Sequence, residues 1–81
     1  MLLADGFEEA FVGVAHRACQ EDVAAYDYDK CIAILCERDG MEYDDAVEFF
    51  SFNTLGSWVG DKTPIFIKSM SSIEELYEED V

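Results

Sequence analysis

Basic residues are scarce: five lysines and arginines stand against nineteen aspartates and glutamates in 81 residues, a formal net charge of −14. A surface so negative repels phosphates and anionic headgroups, which argues against direct binding of DNA, RNA or an acidic membrane. Proline occurs once, and no segment reads as a linker. No apolar run approaches the roughly 20 residues that span a bilayer, and Met1-Leu2-Leu3-Ala4-Asp5-Gly6 lacks the basic start and apolar core of a signal peptide. A cytoplasmic location is expected. The three cysteines, Cys19, Cys31 and Cys36, are odd in number and sit in apolar patterns, which fits reduced buried thiols better than a disulfide framework. A Cys19–Cys31 bridge would require the helices they flank to be antiparallel neighbours.

What is present is a core. The chain is 51% hydrophobic and 14% aromatic, unlike a disordered acidic tail. Its length suits one domain, residues 1–81, near the lower limit for a single hydrophobic core. Charges within about 8 Å of one another are only partly screened at physiological salt, so the surface pushes against compaction. Added salt, a divalent cation or a basic partner should stabilise it.

Phe7, Ala10, Phe11, Val14, Ala15 and Ala18 recur at i, i+3, i+4, i+7, i+8 and i+11, which predicts a first helix over Phe7 to Cys19. Asp5 would cap it and Arg17 would lie at its negative end. Gly13 is out of place there, since a mid-helix glycine costs about 1 kcal/mol relative to alanine. Val23 to Tyr26 reads as either extended or a helical turn. Asp27 then caps a second helix with the buried stripe Tyr28, Cys31, Ile32 and Leu35, widened by Ile34, and Gly40 is placed as its left-handed terminator. A third helix follows from Tyr43, Ala46, Val47, Phe50 and Thr54, with Met41 stapling its start and Leu55-Gly56 ending it. Phe49 and Phe52 fall off its main stripe, so the helix either contacts two layers or leaves aromatic surface exposed.

Trp58-Val59, the break Gly60-Asp61-Lys62, and Thr63 to Lys68 read as a short β-hairpin, with Pro64 admissible at a strand start. Ser71 with Glu74, or Ser72 with Glu75, offers a capping box for a last helical turn or two with the seam Ile73, Leu76 and Tyr77. The fold class expected is therefore α+β, mainly α: a three-helix core, a short C-terminal β-hairpin and a final short helix.

Tyr26-Asp27-Tyr28-Asp29-Lys30-Cys31-Ile32, Arg38 to Val47, and Phe52-Asn53-Thr54-Leu55-Gly56-Ser57-Trp58-Val59-Gly60 with Thr63-Pro64-Ile65-Phe66 resemble small acidic proteins encoded by bacteriophages and found in environmental sequence. The resemblance covers most of residues 5 to 67. It implies an origin, and hence a host-cell cytoplasm, but no catalytic residues. Where the family prefers Ser or Thr as a helix cap, this chain has Glu42, which implies a weaker cap.

No catalytic, cofactor or metal set emerges. His16 and Cys19 share a helical face, and Cys31 and Cys36 would complete a zinc set. However, five residues along one helix rotate the last two thiols by about 140° relative to each other. Asp27-Tyr28-Asp29 begins like a calcium loop but lacks the glycine and glutamate that an EF-hand needs. Asp44/Asp45 with Glu48, or His16 as a lone base, have no nucleophile or orienting partner, which points away from an enzyme. The acidic ridges Asp44, Asp45, Glu48 and Glu74, Glu75, Glu78, Glu79, with Phe49 as an apolar anchor, are the candidate partner-binding residues. Carboxylates one helical turn apart are about 6 Å from each other, close to the phosphate spacing of a nucleic acid strand. The expected partner is a basic, nucleic-acid-binding host protein whose cleft the acidic surface occupies, or else a second copy of the chain. The competing reading is a small self-associating accessory domain whose acidity serves only solubility.

Overall fold

The computed structural model of the protein describes residues 1–54, 62–70 and 72–79. After a 3-10 turn at Glu8–Ala10 come strands β1 (Phe11–Ala15) and β2 (Val23–Asp27), then helices α1 (Tyr28–Asp39) and α2 (Tyr43–Phe49). A wide π-type turn at Phe50–Thr54 follows, then strand β3 (Ile65–Ile67) and helix α3 (Glu74–Glu79). The sheet order is β1-β2-β3, with β1 antiparallel and β3 parallel to the central β2.

The three-helix core with a C-terminal hairpin is thus corrected. The segment expected as a first helix is a short turn and a strand. Its apolar spacing fits a helix, but Phe11-Val-Gly-Val-Ala15 is also a continuous apolar run, and pairing with β2 decides between the two. Gly13 adopts φ 150°, outside the reach of a helix, beside an irregularity in the β1–β2 register between Phe11 and Gly13. Asp5 therefore caps nothing, and His16 and Cys19 lie in the turn between β1 and β2. The ambiguous stretch Val23 to Tyr26 is β2. The strand half of the hairpin exists as β3, yet it joins β2 in parallel across α1 and α2. Trp58, Val59 and the Gly60-Asp61 break lie outside the described residues, as do Leu55-Gly56 and Ser71.

α1 matches its sequence signals. The Asp27 side chain accepts from the Lys30 backbone N–H at 3.0 Å, and Gly40 closes the helix at φ 68°, its N–H donating to the Leu35 carbonyl. Tyr28, Cys31, Ile32 and Leu35 are buried, and Ile34 packs against the core edge. α2 turns Ala46 inward, with Met41 and Val47 packed alongside.

The two faces of the sheet differ. Phe11 and Tyr26 are register partners, as are Tyr26 and Phe66; Ala24 and Tyr26 belong to the buried cluster, so this face meets the helices. Phe50, fully buried, joins the layers. Its ring makes edge contacts with Phe7 and Tyr28 at 5.5 Å and with Phe66 at 5.0 Å, while Phe66 stacks on Tyr26 at 5.6 Å. The Tyr26 hydroxyl accepts from the Ala4 N–H at 2.9 Å, tying the N-terminal segment to the central strand. By strand alternation, Gly13, Ala15, Val23, Ala25, Ile65 and Ile67 lie on the opposite face, where Ile65 and Ile67 are exposed and Ala25 is buried.

Candidate functional site

α2 is short and weakly capped. Glu42 stands at its start without a side-chain cap bond, leaving the Ala46 N–H to the Glu42 carbonyl at 2.8 Å as its opening contact. Asp44 and Asp45 occupy the first turn, where the helix dipole favours acids. Glu48 has no such reason to be there. It sits near the negative end, one turn beyond Asp44 and Asp45, an arrangement that weakens a helix. Neither Asp44, Asp45 nor Glu48 has a hydrogen-bond or ion-pair partner among the described residues.

Aromatics follow these acids along the chain. Asp45, Glu48, Phe49 and Phe52 follow one another at i, i+3, i+4 and i+7 and are exposed, whereas Ala46 and Phe50 on the other side are 0% exposed. Phe49 is 39% exposed and Phe52 74%, so the off-stripe phenylalanines make surface rather than a second layer. The wide turn that carries Phe52 is held from its own side chains: Ser51 Oγ donates to the Val47 carbonyl at 2.9 Å, and Asn53 Nδ2 donates to the Phe49 carbonyl at 3.2 Å. The sequence marks Phe52 with Phe49 as off the main stripe, yet Phe52 is not among the candidate partner-binding residues.

The second proposed ridge is less extensive. Glu74 and Glu75 are exposed at the start of α3, which packs extensively on no other element among the described residues. Glu78 and Glu79 fall within the backbone span of α3, but their side chains lie outside the described residues.

Other clusters are committed to structure. Glu8, Glu9, Glu37 and Arg38 line an open depression of about 410 Å³ with Gly6 and Ile34. Arg38 donates through Nη1 to the Gly6 carbonyl at 2.8 Å, grips Asp39 with Nε and Nη2, and lies 5.7 Å over the Phe7 ring. That hydrogen bonding holds the Asp39 carboxyl below its usual range. The Glu8 carboxyl is lowered by backbone N–H groups, its own and that of Gly6, and then by the Arg38 charge. The guanidinium is therefore a clasp between the N-terminal turn and α1, with each of its three nitrogens already donating a hydrogen bond.

His16 Nδ1 and Asp22 Oδ1, 2.7 Å apart, bridge the two ends of the β1–β2 turn at the surface. No hydrogen bond joins that pair to a hydroxyl or thiol among the described residues. Cys19 is exposed in the same turn at φ 64°, Cys36 is half-buried, and Cys31 is fully buried, all three free. Burial, aided by the Asp27 charge, pushes the Cys31 thiol up to about 12, far from a reactive thiolate. Among the described residues no group of three or more His, Cys, Asp or Glu is arranged to hold a metal, and no helix is long and apolar enough to cross a membrane.

No protein-family model, curated protein or solved structure matches the chain. What the geometry offers is a short helix whose exposed carboxylates have no partner among the described residues and are followed by two exposed phenylalanine rings.

Proposed function

We propose that the protein is a non-catalytic interaction protein of phage type that binds a basic, nucleic-acid-binding host protein through its acidic surface, in the manner of a nucleic-acid mimic. The observation that carries this reading is Glu48 with Asp44 and Asp45: carboxylates one turn apart, exposed, without counter-ions among the described residues, and in Glu48's case placed against the helix's own interest. A cationic partner supplies the compensation the fold withholds, and electrostatic steering makes the encounter fast and salt-sensitive.

The test is a low-salt pull-down from host lysate with DNA as competitor. The proposal expects a nucleic-acid-binding protein that DNA displaces; recovery of the protein's own copies alone overturns it. Reversal of Asp44, Asp45 and Glu48 to Lys, beside reversal of Glu74, Glu75, Glu78 and Glu79, reads out which ridge carries the contact. Loss of binding in neither variant removes both ridges from the proposal.

The second reading, a self-associating accessory domain, draws on the partly exposed apolar face of the sheet around Ile65 and Ile67. Three short strands spaced about 4.8 Å apart offer roughly 200 Å² there. A stable interface buries about 800 Å² per partner, so this face alone is too small to hold a dimer.

A further inference from the structure

Resting on that reading, we infer that the outward stripe of α2 receives a cationic amphipathic helix, whose apolar side covers Phe49 and Phe52 while its Lys or Arg side chains pair with Asp44, Asp45 and Glu48. A mimic of the phosphate backbone alone needs only charge, and would gain nothing from aromatic rings in the contact. Here two exposed rings directly follow the acids along the chain. Asp45, Glu48 and Phe49 follow at i, i+3 and i+4 on α2, and Phe52, 74% exposed, comes next in the wide turn that continues it. Tyr43, 62% exposed at the helix start, adds a third ring near Asp44.

Burying large aromatic rings at an interface is among the strongest sources of affinity, and carboxylates around them select against anionic and neutral competitors. The stripe runs two helical turns, about 12 Å, which matches one face of a docked helix better than an extended basic cleft. A second copy of this chain is disfavoured as the occupant, since its net charge of −14 opposes the approach. The Phe50 side of α2 is unavailable, because it is fully buried against Phe7, Tyr28 and Phe66.

The probe is a synthetic helix-forming peptide of about 14 residues with Leu at i, i+3, i+4 and i+7 and Lys elsewhere. A scrambled peptide of the same composition and an oligolysine of equal charge serve as controls. Affinities are measured by calorimetry at about 50 mM and about 300 mM sodium chloride, on protein whose circular dichroism and melting temperature are checked for each variant.

The wild type should bind the amphipathic peptide at least about tenfold more tightly than the scrambled one, and keep that preference at the higher salt. Phe49→Ala with Phe52→Ala should remove the preference while leaving oligolysine binding unchanged. Phe52→Ala alone, at the more exposed ring, should remove part of it without touching the fold. Asp45→Asn with Glu48→Gln should weaken all three peptides. Ile65→Thr with Ile67→Thr, at exposed positions on the sheet face away from α2, should leave the binding of all three peptides unchanged.

If the phenylalanine variants bind the amphipathic peptide as the wild type does, the inference fails, even while salt-sensitive oligolysine binding leaves the acidic-surface reading standing. If the wild type binds none of the three peptides at low salt, that broader reading fails with it.

Discussion

Replacing Phe50 by leucine tests the packing scheme at its centre. The ring is fully buried and makes edge contacts with Phe7, Tyr28 and Phe66 at 5.5, 5.5 and 5.0 Å. Each such pair contributes about 0.5 kcal/mol beyond simple burial at the low end of the measured range. The smaller side chain leaves a cavity worth about a further 0.5 kcal/mol. The expected loss is about 2 kcal/mol, against a total stability of roughly 4–12 kcal/mol for a chain of this length.

In urea melts followed by far-ultraviolet circular dichroism, with about 0.3 M sodium chloride to screen surface repulsion, the midpoint should fall by roughly 2 M for a slope near 1 kcal/mol per molar. Phe52→Leu, at an exposed ring, should shift it by less than about 0.5 M. A double-mutant cycle with Phe66→Leu should show coupling of about 0.5 kcal/mol or more. Equal shifts for the Phe50 and Phe52 variants would refute the assignment of Phe50 as the junction between sheet and helices.

Gly40→Ala meets no atom within 4 Å, so its cost is purely the left-handed backbone at φ 68°; a loss of about 1 kcal/mol is expected in the same melts, and a smaller one for Gly40→Asn. Because the folded Asp39 and Glu8 carboxyls are held below their ordinary values of 3.8 and 4.5, the stability they contribute is present above those values and disappears as pH falls through the lowered ones. Melting temperature against pH should therefore drop less steeply below pH 4 in Asp39→Asn than in the wild type, and parallel curves would show that the Arg38 clasp contributes nothing. A thiol reagent near pH 8 should label Cys19 rapidly, Cys36 slowly, and Cys31 only after unfolding, as mass mapping of the labelled peptides would read. For Cys31, whose thiol is raised from 9.0 to about 12, stability should fall as pH climbs above 9, where the unfolded chain ionises and the folded one does not.

Signals that act within a few residues were legible in the chain. Asp27 and Gly40 marked both ends of α1 because a cap and a left-handed terminator are local chemistry. The exposed position of Phe49 followed from its sitting beside Phe50, since neighbouring residues on a helix differ by about 100° in direction. The identity of β1 was not legible from spacing, because Phe7, Ala10, Phe11, Val14 and Ala15 satisfy a helical period while three of them, Phe11, Val14 and Ala15, lie in a strand once β2 is alongside. Gly13 carried the hint, and its backbone conformation bears it out. Ile65-Phe66-Ile67 read correctly as a strand, yet its partner was a matter of tertiary packing: Phe66 finds Tyr26 and Phe50 across the molecule rather than a neighbour in sequence. On the candidate surface, the acids were visible as charge and Phe49 and Phe52 as residues off the helical stripe, whereas the wide turn that carries Phe52 was not.

The parallel pairing of β3 with β2 also orders events in time. β1 and β2 meet across a short turn, and α1 begins where β2 ends, so these contacts close small loops and form early. Ala25 and Ile65 meet only after α1, α2 and the segment beyond them have been brought round, a closure with a larger entropy cost. β3 is then the last strand in and the first out, and with it goes the Phe66 ring that stacks on Tyr26 and abuts Phe50. Its amide protons should exchange with solvent ahead of those of Ala24 and Tyr26, through a partial opening that exposes the aromatic junction while the hairpin and α1 stay formed.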